Sequence, residues 1–90
     1  MSGFTRYNKI LNLFSEQRSS WTVLEISDEL KTPSSTIYRI VRELVLAEFL
    51  ESAAGAYFRL GPAFIKFNRI INLSDPLVRA GQPFLKKLAN

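Results

Sequence analysis

The sequence predicts a mainly α-helical winged helix-turn-helix: packed helices carrying one small β-hairpin, followed by linker helices. Three observations predict it. Apolar residues recur at helical spacing in successive segments between Phe4 and Leu46. Only Lys31 and Thr32 separate Leu30 from Pro33, so the second and third helices must cross at a steep angle. The period then changes to two on either side of a short turn that holds a glycine.

Each element has its own local reason. Residues 4–16, FTRYNKILNLFSE, place Tyr7, Ile10, Leu11 and Phe14 on one helical face, with Thr5, Asn8, Lys9 and Asn12 opposite. After QRSS, Thr22-Val-Leu-Glu25 has the form of a capping box, in which hydroxyl and carboxylate each satisfy a free N–H at a helix start. The helix it opens runs to about Leu30 and buries Val23, Ile26 and Leu30. Pro33 has no N–H to lose and is expected at the first position of the third helix. EFLES (48–52) and AYFRL (56–60) flank Ala53, Ala54 and Gly55 as a hairpin. Ala56, Phe58 and Leu60 share one face of its second strand, and Tyr57 and Arg59 share the other. Gly61-Pro62 closes the hairpin and opens a fourth helix, PAFIKFNRIINL. A fifth segment begins at Asp75, an expected N-cap ahead of Pro76, and Pro83 should kink it. It carries a stripe of Leu77, Gly81, Phe84 and Leu88.

Composition narrows the function. The chain has 90 residues, 47% of them hydrophobic, and neither Cys nor His. That removes the usual zinc ligands and the usual general base. Paired carboxylates at useful spacing, a phosphate-cradling glycine loop and a nucleophile with its base are also missing, so neither an enzyme nor a cofactor is expected. The start, MSGFTRYNK, lacks the apolar core of a signal peptide, and no run approaches the roughly 20 apolar residues that cross a bilayer. A cytoplasmic protein with no membrane partner is expected. Twelve Lys and Arg against eight Asp and Glu give a net charge of +4, which suits an anionic partner.

The third helix separates two chemistries. At about 100° per residue, Ile37, Ile40, Val41 and Leu44 fall on one side, and Ser35, Tyr38, Arg39 and Arg42 nearly opposite. The apolar set is a core stripe. The other set suits a groove-reading helix, because Arg can bridge guanine N7 and O6 or clamp a phosphate. Tyr38 can offer its hydroxyl to a phosphate or its ring edge to a thymine methyl. Ser34, Ser35 and Thr36 sit in the first turn, where free N–H groups and the helix dipole favour an anion. The plainer alternative is a solvated face with capping hydroxyls. The tight turn before the helix and the hairpin after it favour DNA.

WTVLEISDELKTPSSTIYRIVRELVLAEFL, a short hairpin and YFRLGPAF together resemble the amino-terminal DNA-binding domain of the IclR-type (isocitrate lyase regulator) family of bacterial and archaeal transcription regulators. Thr22, Glu25, Ile26, Ser27, Pro33, Ser35, Thr36, Arg39, Phe49, Leu50, Phe58, Arg59, Leu60, Gly61 and Pro62 occupy the places of the family's phrases. The resemblance implies a dimeric, nucleoid-associated repressor or activator whose third helix enters the major groove while the wing lies by the backbone. It implies DNA roles for Ser35, Thr36 and Arg39. Ser34 stands where the family often has Lys, and Glu48 where it often has Gly. On this reading residues 1–61 form the DNA-binding domain, and residues 62–90 a linker helix and the start of an effector domain that is otherwise missing here. A small-molecule effector would act only through that domain.

The wing tip, SAAG, is uncharged and cannot make deep minor-groove insertions. Tyr57 and Arg59 on the outward strand face could touch phosphate, although Arg59 could equally pair with Glu51 across the hairpin. The fourth helix carries Phe64, Phe67, Ile70 and Ile71 on one broad arc, more apolar surface than one side of a small domain needs. A second copy covering that arc is the preferred expectation, since a symmetric dimer reads two half-sites about one DNA turn apart, or a multiple of it. The alternative is that the hairpin and the fifth segment fold back over it. The competing function is a winged helix that binds proteins through its apolar fourth and fifth helices and leaves DNA alone.

Overall fold

The computed structural model describes residues 3–74. The expected fifth segment, with Asp75, Leu77, Gly81, Phe84 and Leu88, lies outside the described residues. In chain order the elements are α1 (Gly3–Leu11), β1 (Ser20–Thr22), α2 (Val23–Leu30), α3 (Ser34–Leu46), β2 (Leu50–Ser52), β3 (Tyr57–Leu60) and α4 (Pro62–Ser74). The first three helices surround one core, and the strands form an antiparallel sheet in the order β1-β3-β2. This is the winged helix-turn-helix plan, with one strand more than the sequence suggested.

The core is built as the apolar periodicity required. Ile10 of α1, Ile26 of α2 and Ile37, Ile40, Val41 and Leu44 of α3 are buried together with Phe14, Trp21 and Leu50. Val23 and Leu30, expected inside, are half-buried against this cluster. Trp21 is the linchpin between sheet and helices: its indole N–H donates to the Leu13 carbonyl at 3.1 Å, and the Arg18 guanidinium lies 3.5 Å from the ring centroid.

Three local expectations are corrected. The first helix stops at Leu11 instead of continuing to residue 16, because Leu13 and Phe14 make tighter bonds to the Ile10 and Leu11 carbonyls. The Asn8 carbonyl accepts from both the Asn12 N–H at 3.0 Å and the Asn12 side-chain amide at 2.8 Å. Phe14 therefore reaches the core from a loop. Residues 20–22, read as a breaker running into a cap, form β1, which pairs Trp21 with Phe58; three residues are too few for an alternation to be seen. Pro33 is the N-cap of α3 and not its first residue, with an extended ψ of 140° and a carbonyl that accepts from the Thr36 and Ile37 N–H groups.

The capping box of α2 is present in both directions: the Glu25 N–H donates to Thr22 Oγ1 at 3.1 Å and the Thr22 N–H to Glu25 Oε1 at 2.9 Å. Lys31, left-handed at φ 53°, ends α2, and the Thr32 N–H donates to the Ser27 carbonyl. That single left-handed residue turns the chain directly into α3.

A second left-handed residue ends α3. Glu48 has φ 67°; its N–H donates to the Val45 carbonyl and the next N–H, of Phe49, to the Leu44 carbonyl. This is a Schellman motif, in which glycine is the usual occupant. The Glu48 carbonyl then accepts from the Ala63 N–H at 2.9 Å, and the Gly61 N–H donates to the Phe49 carbonyl at 2.8 Å. One corner thus joins the end of α3, the base of the wing and the start of α4.

Candidate nucleic-acid interface

α3 presents the expected residues outward. Ser34, Ser35, Tyr38, Arg39 and Arg42 are exposed, while Ile37, Ile40, Val41 and Leu44 are buried beneath them. Thr36 differs, being half-buried at the flank of the helix. Among the described residues neither Arg39 nor Arg42 joins an ion pair, so both guanidiniums keep their full hydrogen-bonding capacity for an external acceptor. Among the described residues no side chain caps the start of α3, which leaves first-turn N–H groups beside the exposed serines without a side-chain acceptor.

The wing carries the other two residues expected at the DNA, Tyr57 and Arg59. Glu51 lies opposite Arg59 across β2 and β3, and Arg59 Nε donates to Glu51 Oε2 at 2.6 Å. The cross-strand pair foreseen as the alternative is therefore formed, and Arg59 faces solvent with its charge already partnered. Tyr57 is exposed beside it. The hairpin turns through Gly55 at φ 64°, with the Ala53 N–H donating to the Tyr57 carbonyl at 2.8 Å. Of the face assigned to Ala56, Phe58 and Leu60, Phe58 is half-buried and the other two are exposed. A three-stranded sheet this narrow covers only its middle.

One electrostatic feature belongs to the start of α2. The Thr22 N–H, together with the Arg18 guanidinium 2.8 Å from Glu25 Oε2, holds the Glu25 carboxyl below its ordinary value of 4.5, although partial desolvation works against this. Arg18, stacked on Trp21 and paired with Glu25, is thus a structural cation. Nothing in the spacing of the sequence marked it. Leu24, at the start of α2, was also missed: it is 72% exposed and lies close to Tyr38 along one cleft. Helical spacing assigns the buried face of α2 to Val23, Ile26 and Leu30 and places Leu24 in neither core nor site.

On α4, Phe64 is half-buried and Phe67, Ile70 and Ile71 are exposed. Phe64 and Phe67 both pack on Phe49, with ring centroids 5.4 and 6.1 Å away. Part of the apolar arc is therefore used within the chain to seat α4 on the corner after α3. Among the described residues no cluster of acidic side chains could hold a metal ion, and no helix is long and apolar enough to cross a membrane.

A tightly joined helix pair, an outward face whose two arginines have no ion-pair partner among the described residues, and an adjoining hairpin define a winged helix-turn-helix domain of the DNA-binding type. Residues 5–54 match the IclR helix-turn-helix domain, and the chain belongs to the IclR family. The solved structures it is similar to agree. A protein of Silicibacter sp. TM1040 assigned as an IclR transcriptional regulator is 23% identical, with a TM-score of 0.78 over 100% of this chain and 35% of that one. An assigned IclR-family regulator of Rhodococcus sp. is 26% identical, with a TM-score of 0.72 over 77% of this chain and 27% of that one. An IclR homolog of Microbacterium hydrocarbonoxydans, solved in complex with 4-hydroxybenzoate, is 32% identical, with a TM-score of 0.68 over 73% of this chain and 28% of that one. The chain thus spans about a third of the length of these relatives. No curated protein matches it by sequence.

Proposed function

We propose that this chain binds double-stranded DNA in a sequence-specific manner, as the DNA-binding part of a cytoplasmic transcription regulator. The observation that carries the reading is the exposed set Ser35, Tyr38, Arg39 and Arg42 on α3, with both arginines unpaired among the described residues. In this reading α3 lies in the major groove, where Ser35, Arg39 and Arg42 meet base edges, Ser34 and Thr36 meet phosphates, and Tyr38 offers its hydroxyl to a phosphate while its ring stays free to lie against a base edge. Tyr57 and Arg59 run beside the backbone, and Arg59 contributes less because Glu51 already holds it.

A homodimer presents two such helices, and the exposed residues of the α4 arc, with Phe64 at its edge, form the contact between copies. Residues 1–61 act as the DNA-reading unit, and α4 opens the linker toward an effector domain of the kind the longer relatives have room for. Selection of bound sequences from a random duplex pool tests this directly. An enriched palindrome with half-sites one or two DNA turns apart is the expected outcome. Retention of the pool without enrichment would remove the claim of specificity.

The second reading, a protein-binding winged helix, draws on the exposed apolar residues of α4. It is less favoured because it leaves the outward arginines of α3 without a role.

A further inference from the structure

Beside the arginine face lies a cleft of a different character. Val23 and Leu24 at the start of α2, Tyr38 of α3, and Ala56, Tyr57 and Phe58 of the wing line an open hollow of about 390 Å³. Leu24 is 72% exposed and Tyr38 57%, both large apolar surfaces left toward solvent on the side of the molecule that α3 turns outward. Tyr38 belongs to both surfaces, so the hollow continues the Ser35, Arg39 and Arg42 face without a break. Among the described residues no cation lines it, and the wing cation, Arg59, is engaged by Glu51.

A phosphate seated there would lose water and gain no positive charge, which is unfavourable. An apolar group would gain from burial. Among groups on base edges in the major groove, the one with that chemistry is the C5-methyl of thymine. We infer that Leu24 and Tyr38 form a methyl-reading surface, so that thymine is selected beside the bases met by Arg39 and Arg42. This rests on the reading that α3 enters the major groove, and it adds a specificity element contributed by α2, outside the recognition helix.

The experiment uses the full chain and a duplex it enriches from a random pool. Each thymine is replaced in turn by deoxyuridine, which removes one methyl group and keeps every hydrogen-bonding atom. At one or two positions in each half-site the affinity should fall about fourfold, the equivalent of burying one methyl group. Leu24→Ala should lose a similar factor on the thymine duplex and show no further loss on uracil substitution at those positions. Tyr38→Phe, which keeps the ring, should retain the methyl sensitivity. Leu24 is largely exposed, so an unchanged urea midpoint is expected to accompany the binding change.

Indifference to the methyl at every thymine, with specific binding intact, overturns this inference alone and leaves the DNA reading standing. Full methyl sensitivity in Leu24→Ala overturns the part given to α2. Failure to enrich any duplex removes both.

Discussion

Replacing Gly61 by alanine tests whether the corner that joins α3, the wing and α4 is as tightly built as it looks. A Cβ at this position would stand 2.5 Å from the Glu48 carbonyl oxygen, 2.9 Å from the Leu50 carbonyl carbon and 3.0 Å from its oxygen. A comfortable carbon–oxygen contact is about 3.3 Å, so the backbone must open by roughly 0.8 Å. All three neighbours are main-chain atoms, and no rotamer change can relieve them. The Ala63 N–H to Glu48 carbonyl bond and the Gly61 N–H to Phe49 carbonyl bond run through the same atoms or their neighbours. Overpacking of this kind costs about 2 to 3 kcal/mol, the upper part of the usual range. For a domain of this size that lowers Tm by about 10 to 20 °C. Fluorescence of Trp21, the single tryptophan and a buried one, reports unfolding in heat or urea. Gly55→Ala is the control: it has open space around it but φ 64°, so only the left-handed strain of about 1 kcal/mol applies. A Gly61→Ala variant as stable as the parent, or no less stable than Gly55→Ala, would refute the steric argument.

Three further outcomes follow from the same geometry. Glu48→Gly should raise stability by roughly 1 kcal/mol in urea unfolding, because relief of the left-handed strain and removal of a negative charge from a helix C-terminus outweigh the added chain entropy of glycine; a lower midpoint would contradict it. Arg42→Ala should weaken binding to the enriched duplex by about 1 to 3 kcal/mol while affecting scrambled DNA less; equal loss on both would make Arg42 a phosphate contact. Acidification should remove the Glu25 contribution. Its folded pKa lies below the ordinary 4.5, so the contribution is complete above that value and fades as pH falls through the lowered one. Glu25→Gln keeps the capping geometry without a titrating group, and its urea midpoint should fall less steeply with acid than the parent's; parallel curves would sink the assignment.

The α-helical part of the fold was legible because its signals are local. The capping box states the start of α2 in four residues, and the apolar spacing from Ile37 to Leu44 states the buried face of α3. Features that depend on distant partners were not legible. β1 is three residues long and exists because β3 lies beside it. The end of α1 falls where Leu13 and Phe14 turn more tightly and Phe14 enters the core. The resemblance flagged Glu48 as an unusual residue where glycine is common, but only the backbone shows why: the position is left-handed. At the candidate site, the outward arginines followed from helical periodicity. The fate of Arg59 did not, since period two places it opposite Glu51 and cannot say whether DNA or the carboxylate holds it.

That engagement of Arg59 bears on how the chain can bind at all. With the wing tip uncharged and Arg59 paired, the α3 face offers Arg39 and Arg42, which have no ion-pair partner among the described residues. In the groove these two guanidiniums displace counterions whether they end on a base edge or on a phosphate, and two neutralised charges give a salt slope of about −1.8, or roughly a twelvefold loss of affinity between 50 and 200 mM salt. Four neutralised charges, as two copies would engage, give about −3.6 and roughly a 150-fold loss over the same range. On that count a single copy would be a weak electrostatic ligand, and the proposed pairing of two copies would raise the affinity. The apolar arc of α4, seated by Phe49 just after the end of α3, is where such a junction would hold both recognition helices at a fixed spacing. Salt titration at two protein concentrations, below and above the point of self-association, separates the slopes. A slope near −1.8 at both concentrations would mean that the arc does not couple two DNA-reading faces, whereas a nearly flat response would favour a protein-binding role for the whole surface.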